Sequence, residues 1–222
     1  MILNKLYKLL YVLPLIVGIN SCITENEDKI TAIIKTNRIY PSLIPAVSDS
    51  EFAIVKSLFD KNKLSLSNLK VYRLLENQSR YHVRCYQYYN TGSFRNSLLE
   101  YFRNDVVFNF DKNNNYSSLG GDLINKIEID IVPKAPMGEA SNLFYDEINS
   151  DSWQKDSIES YYQEGFNAEL GIYDLNAGLS YAEHNFVLSW RVTISNNLSY
   201  PQAYVRADSL KLIYYSNGII IN

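Results

Sequence analysis

The chain has 222 residues, 46% of them hydrophobic and 20% charged, with a formal net charge of −3. That length holds one large domain or two small ones, and that balance allows a buried core and excludes wholesale disorder. A charge so near zero leaves no electrostatic footprint for nucleic acid, which is set aside as a partner. The 19 tyrosines point to a β-rich exported protein, because Tyr favours strands and can bury its ring while its hydroxyl stays wet. A carbohydrate-binding surface is the other use for them.

Residues 1–22 read as a targeting segment and are kept out of fold reasoning. Lys5 and Lys8 supply the positive region, and Leu9 to Ile19 form an apolar core too short for a membrane span of roughly 20 residues. Ile19-Asn20-Ser21-Cys22 then resembles a bacterial lipobox, although Ile19 replaces the usual Leu and Asn20 exceeds the usual small residue. In a lipobox the Cys22 thiol takes a diacylglycerol and becomes the new N-terminus. Each methylene buried in a membrane is then worth about 0.8 kcal/mol. This places the protein at the cell envelope, on the outer membrane, with either face open. An ordinary secretory signal with an incidental Cys22 is the alternative. Residues 23–36 read as a solvated tether, and Glu25, Glu27 and Asp28 resemble an acidic surface-export signal. With Cys22 acylated, Cys85 has no disulfide partner and reads as a small buried hydrophobe.

Residues 37–118 are expected to form a first α+β lobe. Pro41 and Pro45 mark extended chain, and Ser48 with Glu51 three residues on resembles a capping box. Phe52, Val55, Leu58 and Phe59 follow at helical spacing, so a helix ending near Asn62 carries an apolar stripe. Strands are expected at 69–75, 80–89, 97–102 and 106–110, separated by turn residues.

Residues 119–222 are expected to form a second lobe on the same plan. Ile127, Ile129 and Ile131 alternate with Glu128 and Asp130, which predicts a strand over 123–132. Pro133 and Pro136 break it and introduce a helix over 136–148, with Ala140, Leu143, Phe144 and Ile148 as its buried stripe. Residues 151–165 are either a short helix or a long loop. Strands follow at 168–173, 185–196, 202–207 and 210–215. The clearest is Phe186 to Ile194, where Phe186, Leu188, Trp190, Val192 and Ile194 share one apolar face.

Several stretches resemble a known family. His82-Val83-Arg84-Cys85-Tyr86-Gln87, with the Gly92 turn behind it, looks like the Arg-x-x-Gln strand of the fungalysin–thermolysin propeptide module. Pro133 to Ala140, Leu170 to Tyr173, Leu188-Ser189-Trp190 and Tyr204 to Ala207 follow the order of elements in a PepSY domain. Together they resemble the propeptide region of thermolysin-like metallopeptidases, with Arg84, Gln87, Leu188 and Trp190 at the best-matching positions. The family's Asp-Ala-x-x-Gly hairpin is replaced here by Arg206, Ala207 and Leu210, and a stand-alone body without a peptidase domain is expected. The resemblance implies a PepSY/cystatin-like α+β fold of two lobes, each a helix on an antiparallel sheet of about four strands. It also implies a propeptide-like body that docks on a secreted zinc metallopeptidase, to inhibit it or assist its folding.

The residues themselves supply little catalytic chemistry. A zinc peptidase places two imidazoles and a Glu base in His-Glu-x-x-His, but His82 and His184 are far apart in sequence and outside such a motif. Gly120-Gly121 reads as a turn, and no Gly-x-Ser-x-Gly elbow is present. No enzyme activity, metal or cofactor is therefore expected. Asp156-Ser157-Ile158 and Asp208-Ser209-Leu210 resemble O-glycan attachment sites of exported bacterial proteins. The competing expectation is a structural or adhesive envelope lipoprotein that binds a glycan or another surface protein through Tyr86, Tyr88, Tyr89 and Tyr101. The tail from Gly218 to Asn222 reads either as a segment for strand addition or as a last edge strand.

Overall fold

The computed structural model describes residues 47–91, 98–179, 183–195 and 197–219. The targeting segment, Cys22, the tether and the Gly92 turn lie outside these residues.

Helix α1 (Asp49–Lys61) begins as its sequence dictates. The Ser48 hydroxyl accepts from the Glu51 N–H at 3.3 Å, and the Glu51 carboxylate accepts from the Ser48 N–H at 2.9 Å. Val55, Leu58 and Phe59 are buried, but Phe52, expected in the same stripe, is 46% exposed at the first turn. At the far end Asn62 donates from Nδ2 to Leu58 O at 2.7 Å and to Asn114 O at 2.8 Å, which ties the helix to the turn at residues 112–115.

Strands β1 (Leu69–Glu76), β2 (Arg80–Asn90), β3 (Leu98–Asp111) and β4 (Tyr116–Gly120) follow, and β5 (Phe166–Asp174), β6 (Phe186–Ile194), β7 (Asn197–Arg206) and β8 (Leu212–Ser216) complete the set. They form one eight-stranded sheet in the order β1-β2-β3-β5-β6-β7-β8, with β4 beside β3. The α+β expectation holds, but two separate four-stranded sheets do not form. The reason lies in β3, which is one strand where two short ones were expected. Opposite β2 its register jumps from Asp105 to Glu100 between Tyr86 and Tyr88, so β3 carries extra residues there, and Arg103 takes a positive φ of 59°. On the two sides of this kink β3 offers one edge to two different partners. Val107 to Phe110 pair antiparallel with β4, and Glu100 to Phe102 pair parallel with Gly171 to Tyr173 of β5. Gly171 lacks a side chain for cause, since a Cβ there would lie 2.3 Å from Phe102 Cζ and 2.7 Å from Glu100 O.

Helix α2 (Met137–Ser150) buries Ala140, Phe144 and Ile148 of its predicted stripe, while Leu143 is only half-buried against the same core. A 3-10 turn (Lys155–Ser157) and helix α3 (Ile158–Glu164) resolve the ambiguous stretch before β5. Val83 and Cys85 of β2 enter the core under α1, while Tyr89, on the same side of that strand, packs against the core under α2. Both helices thus cover one face of the sheet. Full burial of Phe144, Phe166, Ile148 or Ile194 in the larger core stabilises by about 1.5–3 kcal/mol per side chain.

Residues 121–136 are the main departure from expectation. They belong to no strand, although exposed Lys126, Glu128 and Asp130 alternate with the more buried Ile127, Ile129 and Ile131. The β3 edge nearest in sequence is already taken by β4 and β5, so the segment crosses the helix-bearing face as a strap. Ile127 is buried there, and Ile129 and Ile131 pack against the α2 core.

Candidate functional site

The strap is fastened at both ends. It leaves β4 through Gly121 at φ 76°, where a Cβ would lie 2.4 Å from Asp105 O. Gln87, buried in β2, then treats Ile124 as a strand neighbour. Its Oε1 accepts from the Ile124 N–H at 2.9 Å, and its Nε2 donates to the Ile124 carbonyl. Asn104 donates to Asp122 O at 3.1 Å beside it. At the other end the N–H groups of Lys134 and Ala135 donate to Ala207 O at 2.7 and 2.8 Å, and Trp190 Nε1 donates to Ala135 O at 3.0 Å.

These contacts place the residues singled out in the sequence. Gln87 and Trp190 grip the strap. Leu188 lies in the core beneath it, and its carbonyl accepts from the Ala207 N–H at 2.9 Å. Arg84 is not part of this group. It points to the helix-free face, pairs with Asp105 and lies 5.7 Å from the centre of the Tyr72 ring.

Two cavities border the strap. One, of ≈ 540 Å³, lies between the β3 kink and the β5–β6 loop and is lined by Arg103, Asp122, Asp174, Asn176, His184 and Phe186 among others. The other, of ≈ 610 Å³, is an open groove between residues 123–129 and residues 184–186. His184 sits at both. Its Nδ1 lies 2.7 Å from Asp174 Oδ2, and its ring stacks on Phe186 with centroids 5.0 Å apart. The Asp174 carboxylate also accepts from the N–H groups of Asn176 and Asn185 at 3.0 and 2.8 Å. Burial opposes its charge, yet the bonds from His184, Asn185 and Asn176 hold its carboxyl below the ordinary range. With bonds from His184, Asn176 and Asn185 converging on it, Asp174 clasps the start of this loop to its end. No three His, Cys, Asp or Glu side chains gather there into a metal-binding group, among the described residues. His82 lies apart, between Asn109 Oδ1 at 2.6 Å and Asn77 Nδ2 at 3.1 Å.

The helix-free face carries a site that sequence reasoning missed. Arg191, in the middle of β6, pairs with Glu100 at 3.1 Å and with Glu169, and its guanidinium lies 4.6 Å from the centre of the Phe102 ring. Glu169 stands directly across the β5–β6 ladder from Arg191, a pairing that strand register alone could have suggested. Burial works against the guanidinium charge, but the two carboxylates outweigh it and raise its pKa. Tyr173 and Tyr204 extend the cluster with ring centroids 4.9 Å apart, and burial pushes the Tyr204 hydroxyl up to about 12.

The four tyrosines expected to form a binding surface do not share one exposed face. Tyr101 and Tyr88 are buried. Tyr89 and Tyr101 belong with the α2 core, whereas Tyr86 stacks on Tyr72 at 4.2 Å on the opposite side of β2. Cys85 is a buried free thiol whose pKa burial raises to about 12, in keeping with its reading as a core hydrophobe. Ile219 is 41% exposed and outside β8, and residues 220–222 of the tail lie outside the described residues.

No protein-family model and no curated protein matches this chain. One solved structure that overlaps it is the Bacillus megaterium YpeB C-terminal domain, with a TM-score of 0.36 and 11% sequence identity over 84% of this chain and 70% of that one. A likeness of that size fixes neither family nor function. No helix among the described residues is long and apolar enough to cross a membrane.

Proposed function

We propose that the chain is an envelope-tethered, non-catalytic binding protein that docks on a secreted metallopeptidase as a detached propeptide, inhibiting it or assisting its folding. The lipobox-like end at Cys22 supports the tether, and the propeptide-like positions Gln87, Leu188 and Trp190 support the partner class. The observation that carries the docking is the position of β8. It closes the sheet at one side, its outer edge has no strand partner among the described residues, and the chain continues from it into exposed Ile219. A free edge of this kind adds to a partner by main-chain hydrogen bonds and lets alternate side chains select it.

The test is a titration of a secreted zinc metallopeptidase of the source bacterium with the mature chain. Saturable inhibition, or recovery of active peptidase from its unfolded form, is expected. Ile219→Asp should weaken the effect at least tenfold. An unchanged titration excludes the tail, and no effect from the unaltered chain excludes docking on the peptidase.

A further inference from the structure

We propose that residues 125–131 of the strap receive an extended, basic segment of a partner polypeptide as an added β-strand. This site takes a strand, whereas β8 offers one, and it stands independently of the peptidase reading.

The first observation is the backbone. Gln87 satisfies Ile124 and Ala207 satisfies Lys134 and Ala135. Between these anchors no main-chain hydrogen bond is made by residues 125–131 to any described residue. Its side chains nevertheless alternate between core and solvent as a strand's do. Ile127, Ile129 and Ile131 are anchored on the α2 core, while Lys126, Glu128 and Asp130 are exposed. An extended strand offers the N–H and C=O of one residue to one side and those of the next to the other. A second extended polypeptide supplies donors and acceptors at that same repeat.

The second observation is the space beside it. The ≈ 610 Å³ groove runs along residues 123–129 and is closed on its far side by His184, Asn185 and Phe186. A strand laid there would add its side chains to the Phe186 ring while pairing with the strap.

The third is charge. Exposed Asp122, Glu128, Asp130 and Glu183 border the groove and its ends, against Lys126 and Lys134. Lys126 pairs with Glu128 at 2.5 Å and Lys134 with Asp130 at 3.7 Å, which leaves Asp122 and Glu183 as the carboxylates in excess. The excess of carboxylates favours Lys or Arg at alternate positions of the incoming segment and disfavours Asp or Glu.

The experiment is residue-resolved amide exchange by NMR on the mature chain, titrated with a capped nonapeptide of alternating Val and Lys and with its Val and Glu counterpart. Slowed exchange at every second amide from 125 to 131 is expected with the Lys peptide, and at least tenfold weaker binding with the Glu peptide. Glu128→Lys combined with Asp130→Lys changes only exposed side chains and should reverse that preference. Protection confined to β1 or β8, equal binding of both peptides, or no protection at millimolar peptide would each overturn the proposal.

Discussion

The indole N–H of Trp190 donates to the carbonyl of Ala135 at 3.0 Å and so fastens the end of the strap to the middle of the sheet. Trp190 is 8% exposed, so removing its donor leaves a carbonyl with little water to replace it. Trp190→Phe should therefore cost about 1–3 kcal/mol beyond the loss of ring area, read as a lowered urea midpoint. A midpoint equal to that of the wild type would show that the bond carries no load.

The other anchor is more exacting. Gln87 both accepts from and donates to Ile124, and it is 7% exposed. Gln87→Met keeps the volume and loses both bonds, for an expected loss of about 2–4 kcal/mol. Gln87→Glu keeps the acceptor but sets a carboxylate against the Ile124 carbonyl, so it should be the less stable of the two. Equal stability of both variants would contradict the pairing.

Gly171→Ala tests the junction of the two halves. The new methyl meets Phe102 Cζ at 2.3 Å and the Glu100 carbonyl at 2.7 Å, and the second of these is backbone. A loss of about 1–3 kcal/mol is expected, with the amides of residues 100–102 exchanging faster than those of β6 and β7. Wild-type stability would mean that β3 and β5 are not paired as described.

Arg191→Met leaves Glu100, whose side chain is 2% exposed, without its cation. The expected loss is about 3–5 kcal/mol. Adding Glu100→Gln removes the stranded charge and should recover part of it. Additive losses in the double variant would argue against a coupled pair.

Asp174 gives a pH signature. Its carboxyl is held below the ordinary range against the effect of burial, by bonds from His184, Asn185 and Asn176. A lowered folded pKa contributes stability that is complete above the unfolded value of about 3.9 and is lost as pH falls through the folded value. The ¹³C shift of the Asp174 carboxyl should therefore titrate below that value. A midpoint at or above it would mean that the loop clasp is not formed.

Much of this was legible in the residues. Ser48 and Glu51 mark the start of α1, Phe144 and Ile148 mark the buried face of α2, and the alternation from Phe186 to Ile194 yields β6 and its inner face. Local pattern served where local partners decide the outcome. It failed at β3, whose kink at Arg103 reads as a turn between two strands, and at residues 123–132, whose alternation is strand-like but whose edge partners are taken by β4 and β5. Phe52 was misplaced because spacing cannot say where the sheet stops beneath a helix. Gln87 and Trp190 stood out by resemblance, while their hold on the strap depends on contacts 37 and 55 residues away in sequence. Arg191 was hidden because a charged residue on a strand ordinarily reads as the solvent side.

The proposal most in need of a direct test is that the protein is tethered and binds a secreted peptidase. The most direct measurement is in situ cross-linking of the native protein in its own cells, followed by capture and mass spectrometry of the cross-linked peptides. The account predicts recovery of a secreted zinc metallopeptidase, with cross-links to residues of β8 or the segment after it. Recovery of surface lipoproteins or glycan-handling proteins alone, with no peptidase, would contradict it.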